Sequence, residues 1–227
     1  MIMTFLHKFI LASIILIVPN DYKPVYSNKQ RIIDFSKDIE ASIENNPQYI
    51  LFDGNDKKFV MATILVAIAW RESGFRQDIQ TCVVKGDNNR SITSFQIMKP
   101  WALSKKVEII RNINNEKIIY YKWKKHFSES ELCNSVELAS EQAMQMFSLN
   151  QSLCTYGAPR NYFAGYGSGN CKNPLKVTDN LCYMWYNLSK KTGLEGANCY
   201  KNKEIKFVNK EKTNEKISKI VNSYLNG

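Results

Sequence analysis

The sequence predicts a mainly α-helical α+β domain, with one small β-hairpin or loop region and disulfide stabilisation. Three observations carry this reading. Apolar residues recur at three- and four-residue steps through most segments. The stretch 81–97 instead mixes β-branched residues with the turn Gly86-Asp87-Asn88-Asn89. Six cysteines, an even number, run from Cys82 to Cys199. At 227 residues, 44% hydrophobic and 23% charged, the chain can build one sizeable core. That composition excludes wholesale disorder, collagen-like repeats and a multi-span membrane protein.

Residues 1–27 read as an export signal. His7 and Lys8 form a short polar start, and Phe9 to Val18 is an apolar run interrupted only by Ser13. The run is too short to span a bilayer, which takes about 20 residues, and suits a leader. Pro19 ends it, and Val25-Tyr26-Ser27 offers a cleavage site. An uncleaved N-terminal anchor is the other reading. Removing residues 1–27 takes out Lys8, Lys23 and Asp21 and leaves a charge of +9 from the full chain's +10. The expected compartment is secreted or periplasmic, with no membrane span once the leader is gone.

The elements follow in order. Ile32, Ile33, Phe35, Ile39 and Ile43 give residues 30–45 one apolar helical face, closed by Asn45-Asn46-Pro47. From Asp56 to Phe75 the chain is apolar on nearly all sides, the pattern of a buried helix, with Gly74 as its C-terminal stop. Residues 109–121 give no clear signal, although Asn114-Asn115 suits a turn. Ser128-Glu129-Ser130-Glu131 is a capping-box pattern opening a helix to about Leu149. A Gly-rich segment, 156–169, follows. Asp179 caps a helix to about Lys191, ended by Gly193. The lysine-rich tail, 201–227, can form a last basic helix. Residues 28–200 are thus the main domain.

Cys82, Cys133, Cys154, Cys171, Cys182 and Cys199 are disulfide candidates whose pairing the sequence leaves open. No C-x-x-C spacing occurs, so no metal site is expected, and no cofactor. The two histidines are His7 and His126. A serine or thiol hydrolase would have to use His126, which has no nucleophile motif around it.

The informative acid is Glu72, at the end of the most buried helix. Desolvation there favours the protonated carboxyl, which can act as a general acid toward a glycosidic oxygen. An exposed glutamate pairing with Arg71 or Arg76 is the bland alternative.

The surrounding residues bear on that choice. Glu72-Ser73-Gly74-Phe75 resembles the E-S-G-F signature of lytic transglycosylases, members of the lysozyme-like superfamily that includes goose-type lysozyme. Ser91 to Met98 is similar to that family's S-x-G-x-x-Q-I-M segment, and Tyr162 to Gly167 to its Y-N-A-G-x-G segment. Two positions depart: Thr93 stands where the family has glycine, and Phe163 where it has asparagine. The resemblance implies a lysozyme-like domain in which Glu72 is the acid and base. It places Ser73, Ser91, Phe95, Gln96, Met98 and Gly165 along the substrate cleft, and puts Tyr162 in hydrogen-bond reach of the Glu72 region. Core packing is the competing role for Phe95, Gln96 and Met98.

The implied reaction cleaves the bond between N-acetylmuramic acid and N-acetylglucosamine without water, leaving a 1,6-anhydro end. Asp87 is the possible second carboxylate for a hydrolytic route, or simply a turn residue. A catalytically inactive glycan- or partner-binding protein of the same fold is the alternative from another class. The expected partners are peptidoglycan glycan strands, drawn by charge, with no nucleic acid, and the chain is expected to be a monomer.

Overall fold

The computed structural model describes residues 3–104, 106–113, 116–123, 126–154, 158–168, 171 and 176–227, with side chains left aside at 106–113, 116–123, 168 and 176–178. Helices α1 (Phe5–Ile17), α2 (Lys23–Tyr26) and α3 (Lys29–Asn45) lead through a 3₁₀ turn, Pro47–Tyr49, to α4 (Lys57–Ser73) and the short α5 (Gln77–Gln80). Strands β1 (Ser91–Ile92) and β2 (Ile97–Met98) pair antiparallel, followed by α6 (Lys99–Ala102). Strands β3 (Lys106–Ile113) and β4 (Glu116–Trp123) form a second antiparallel hairpin. The chain closes with α7 (Glu129–Asn134), α8 (Val136–Leu153), α9 (Pro159–Ser168), α10 (Lys176–Lys191), β5 (Leu194–Glu195), β6 (Lys206–Phe207) and α11 (Lys210–Asn226). This is a mainly helical protein with short strands and three disulfides.

Helix α4 is the spine. Every residue from Val60 to Ala69 is fully buried, because α1, α3, α8 and α10 surround it. That enclosure is why its sequence is apolar all round. Gly74 ends it at φ 58°, its N–H donating to the Trp70 carbonyl over 2.9 Å. A β-carbon there would run into the Tyr22 hydroxyl, so glycine is required by both conformation and space.

The apolar run read as a leader forms α1 and lies inside the core. Phe9, Ile10, Leu11 and Ile14 are fully buried, and α1 packs on α3, α4 and α11. His7 is buried with it, its Nε2 2.9 Å from Ser36 Oγ. The tail joins the same core: α11 buries Thr213, Ile217, Val221 and Tyr224. No described helix is long and apolar enough to cross a membrane.

Four local expectations change. The capping box is present at Ser128 and Glu131, but the helix it opens stops at Asn134. Ser135 is extended and caps a new helix, accepting from Leu138 N–H over 3.1 Å. Residues 109–121 fall in the β3–β4 hairpin, whose register closes at Ile113 opposite Glu116; Asn114 and Asn115 lie outside the described residues. The described part of the Gly-rich segment is the helix α9. Helix α10 begins at Lys176, so Asp179 sits within its first turn and pairs with Arg160, Oδ1 to Nε 3.2 Å.

Candidate active site

Glu72 occupies the last turn of α4, where the apolar sequence gives way to Arg71-Glu72. Burial raises the pKa of its carboxyl, the Arg71 charge opposes that shift, and the Asp87 charge adds to it. Among the described residues no hydrogen bond or ion pair holds this carboxyl. A desolvated, unpaired acid favours its protonated form.

The next residues turn the chain away from the helix. The Ser73 hydroxyl donates to the Ala69 carbonyl (2.8 Å) and accepts from Phe75 N–H (3.1 Å). Ser73 is buried, so its hydroxyl serves the helix end rather than a cleft. Phe75, at φ 57°, drives its ring into the core against Phe35 and Trp70.

The segment 82–96 carries an unusual backbone. Cys82, Asp87, Asn88, Asn89, Thr93 and Gln96 all have positive φ. Asn and Asp tolerate this region; a β-branched residue does not. Thr93, at φ 68° and fully buried, therefore keeps a glycine-type conformation with a threonine. The Ser91 hydroxyl donates to Asp87 Oδ2 over 2.6 Å and lies 3.1 Å from Met98 Sδ. Ser91 thus orients the carboxylate whose charge acts on Glu72.

Gln96 donates from Nε2 to the Thr93 carbonyl over 3.0 Å, and its Oε1 lies over Gly86, where a β-carbon would collide with it. Phe95 is fully buried and stacked on Phe35 at 6.3 Å. Core packing is the role these contacts give Phe95, while Gln96 and Met98 remain half-exposed beside the hairpin.

The tyrosine that senses Glu72 is Tyr166. It is buried, and its hydroxyl donates to the Phe95 carbonyl over 2.8 Å. Burial pushes this phenol well above its ordinary range, and the Glu72 charge adds to the rise. Tyr162, the residue expected near Glu72, is otherwise engaged. Its hydroxyl donates to Asn202 Oδ1 over 3.2 Å, and its ring lines a pocket of about 350 Å³ with Phe52, Gln151 and Lys201. Gly165 packs α9 on α8, since a β-carbon there would come within 2.6 Å of Asn150 Oδ1. Phe163 is fully buried against Phe147 and Trp185, so no amide reaches a cleft from that position. Tyr166 was findable from sequence once 159–168 is treated as a helix, because it lies one turn beyond Tyr162.

All six cysteines pair: Cys82–Cys133, Cys154–Cys171 and Cys182–Cys199. The first ties the 82–96 segment to α7. His126 is exposed, with Nε2 2.9 Å from the Leu103 carbonyl, and no free cysteine stands beside it. No group of three or more His, Cys, Asp or Glu side chains suited to a metal ion occurs among the described residues. No family model matches the chain, and no curated protein or solved structure matches it either.

Proposed function

We propose that the protein is an exported peptidoglycan lytic transglycosylase of the lysozyme-like kind. The observation that carries this reading is Glu72, a desolvated carboxyl at the end of α4 with no hydrogen-bond or ion-pair partner among the described residues and with the Asp87 charge acting on it. Of the three sequence segments that resemble the family, the first begins at Glu72 and the third carries Tyr166, on whose phenol the Glu72 charge acts, and the disulfides fit an oxidising compartment.

In the proposed reaction the protonated Glu72 gives its proton to the oxygen linking N-acetylmuramic acid to N-acetylglucosamine, and that bond breaks. The carboxylate then takes the proton of the muramic C6 hydroxyl as its oxygen bonds to C1. The glycan ends in a 1,6-anhydro ring, one group acting as acid and then as base. Asp87 raises the affinity of Glu72 for its proton in this scheme. A hydrolytic route, with Asp87 activating water on the far side of the sugar, is the second reading, favoured by the Asp87 charge acting on Glu72.

Mass spectrometry of digested peptidoglycan separates them. Anhydro ends are expected; ends carrying an added water assign hydrolysis. Glu72→Gln is expected to lower turnover by about 10²–10⁴-fold, the usual contribution of a general acid. A wild type no more active than this variant, with both binding glycan, leaves only a binding protein.

A further inference from the structure

Two tyrosines combine exposure with fixity. Tyr183 on α10 is 43% exposed and Tyr200 is 50% exposed. Their hydroxyls share a 2.5 Å hydrogen bond, and the rings meet edge-on at 6.1 Å. Each follows a cysteine of the Cys182–Cys199 disulfide. The Arg160 guanidinium lies 5.2 Å from the Tyr200 ring centre and is itself held by Asp179. Ordering exposed side chains is entropically unfavourable, and these rings stand largely outside the core. Rings fixed in advance lose little on binding, and Tyr and Arg are the types that anchor binding surfaces.

Tyr183 also lines a groove of about 340 Å³ along α10. Asn180, Tyr183, Asn187 and Lys191 line it from one helical face, over roughly 16 Å, and Trp70 faces them from α4. Leu16, Ile17, Met184 and Leu188 add apolar wall to the two aromatic rings and the two side-chain amides, and no carboxylate is among the lining residues. Flat apolar faces beside amide donors and acceptors suit an uncharged sugar ring bearing hydroxyl and acetamido groups. Trp70 and Glu72 are about 200° apart around α4, so the groove and the acid lie on different sides of it.

We propose that this groove, with the Tyr183–Tyr200 pair at its mouth, is a second, non-catalytic docking site for chains of N-acetylated amino sugars. It rests on the glycan reading of Glu72 for the source of the chain, but its chemistry does not involve the acid. Leu16 and Ile17 of α1 form part of its wall and the Leu16 carbonyl accepts from Lys191, so the site belongs to the chain that keeps α1.

The test uses the full chain silenced by Glu72→Gln, measured by co-sedimentation with insoluble peptidoglycan and by titration with soluble N-acetylglucosamine oligosaccharides. Adding Tyr183→Ala with Tyr200→Ala is expected to weaken both by at least about tenfold, whereas the paired Phe variants keep most of the binding. Asn187→Trp, which fills the groove from an exposed position, is expected to do the same as the Ala pair and guards against misfolding of the latter. Unchanged binding in the Asn187→Trp and folded Ala variants overturns the proposal, as does a parent that binds neither probe. Oligosaccharide binding lost on these changes in a wild type that makes no cleaved glycan would uphold the docking site while the enzymatic reading falls. Anhydro products from a chain indifferent to the tyrosines would do the reverse.

Discussion

From Val60 to Ala69 every residue of α4 is fully buried in regular helix. From Cys82 to Gln96 six non-glycine residues take positive φ. The two regions are linked at Glu72, which ends the helix and on which the loop's Asp87 charge acts. The helical body is stabilised by apolar burial and leaves its backbone relaxed. The loop holds conformations that cost of order 1–3 kcal/mol at unsuited residues and persist only when their surroundings fix them. Its fixings are visible: Cys82–Cys133, the Gln80 side chain accepting from Ser94 N–H at 3.0 Å and donating to the Leu132 carbonyl at 3.1 Å, and Tyr166 on the Phe95 carbonyl. Strain gathered beside an acid that has no hydrogen-bond or ion-pair partner among the described residues marks a candidate site, and strain-free packing behind it is the pattern of a scaffold.

The largest expected effect breaks the scaffold. Helix α1 fully buries Phe9, Ile10, Leu11 and Ile14. At about 1.5–3 kcal/mol each, their removal costs up to roughly 6–12 kcal/mol, comparable with a whole domain's stability. A chain beginning at Asn28 is therefore expected to unfold at far lower denaturant concentration than the full chain. Equal midpoints would show that α1 adds nothing and would fit a discarded leader. The intact mass of the exported protein shows which form the cell keeps.

The next effect falls on the loop's anchor. Cys82–Cys133 closes 51 residues of chain, which corresponds to about 4 kcal/mol in the loop-closure account. Replacing both cysteines by alanine is expected to lower stability by that order. Activity should fall at denaturant concentrations that leave far-ultraviolet helicity unchanged, because the loop loses its tie before the body melts. Loss of both signals together would mean that the loop and the body unfold as one unit.

A subtler change alters only the electrostatics between the two regions. The Asp87 charge adds to the raised pKa of Glu72. Asp87→Asn keeps an acceptor for Ser91 and removes that charge, so Glu72 ionises at lower pH. The alkaline limb of kcat/KM, which reports loss of the protonated acid, is expected to move down in pH. Stability follows the same sign. A carboxyl whose folded pKa is raised contributes fully below its unfolded pKa, and that contribution is lost as pH rises through the folded value. Glu72→Gln is thus expected to flatten the decline in stability across that window. An unmoved limb in Asp87→Asn would remove Asp87 from the site.

How much of this was legible in the sequence depended on whether one face or all faces of an element are covered. The spine α4, its Gly74 stop and the Ser128–Glu131 cap follow from residue type and spacing alone. Ser135 shows where that fails: a second cap three residues before Leu138 was hidden within a continuous apolar pattern. The run 9–18 is apolar enough for a leader and equally apolar enough for a buried helix, and periodicity cannot separate the two. Glu72 stood out as a candidate because a carboxylate ends an apolar helix and opens the E-S-G-F segment. Tyr166 did not, because the glycines of 156–169 masked a helix whose packing on α8 needs Gly165.

The smallest expected effect is the sharpest test of loop strain. Thr93 holds φ 68°, which costs an L-residue roughly 1–2 kcal/mol, and its hydroxyl accepts a long 3.3 Å hydrogen bond from Phe95 N–H. Glycine relieves the strain but gains about 0.5–1 kcal/mol of freedom in the unfolded chain, and it gives up the hydroxyl and methyl. Alanine gives up the same groups while keeping the strain. Thr93→Gly is expected to stay within about 1 kcal/mol of wild type, and Thr93→Ala to be the less stable of the two by denaturant unfolding. Only the backbone term ranks glycine above alanine, since at a relaxed position alanine is the more stable choice. An alanine variant more stable than the glycine one would mean that the loop carries no strain at Thr93, and the contrast between relaxed body and strained site would lose its least tolerant residue.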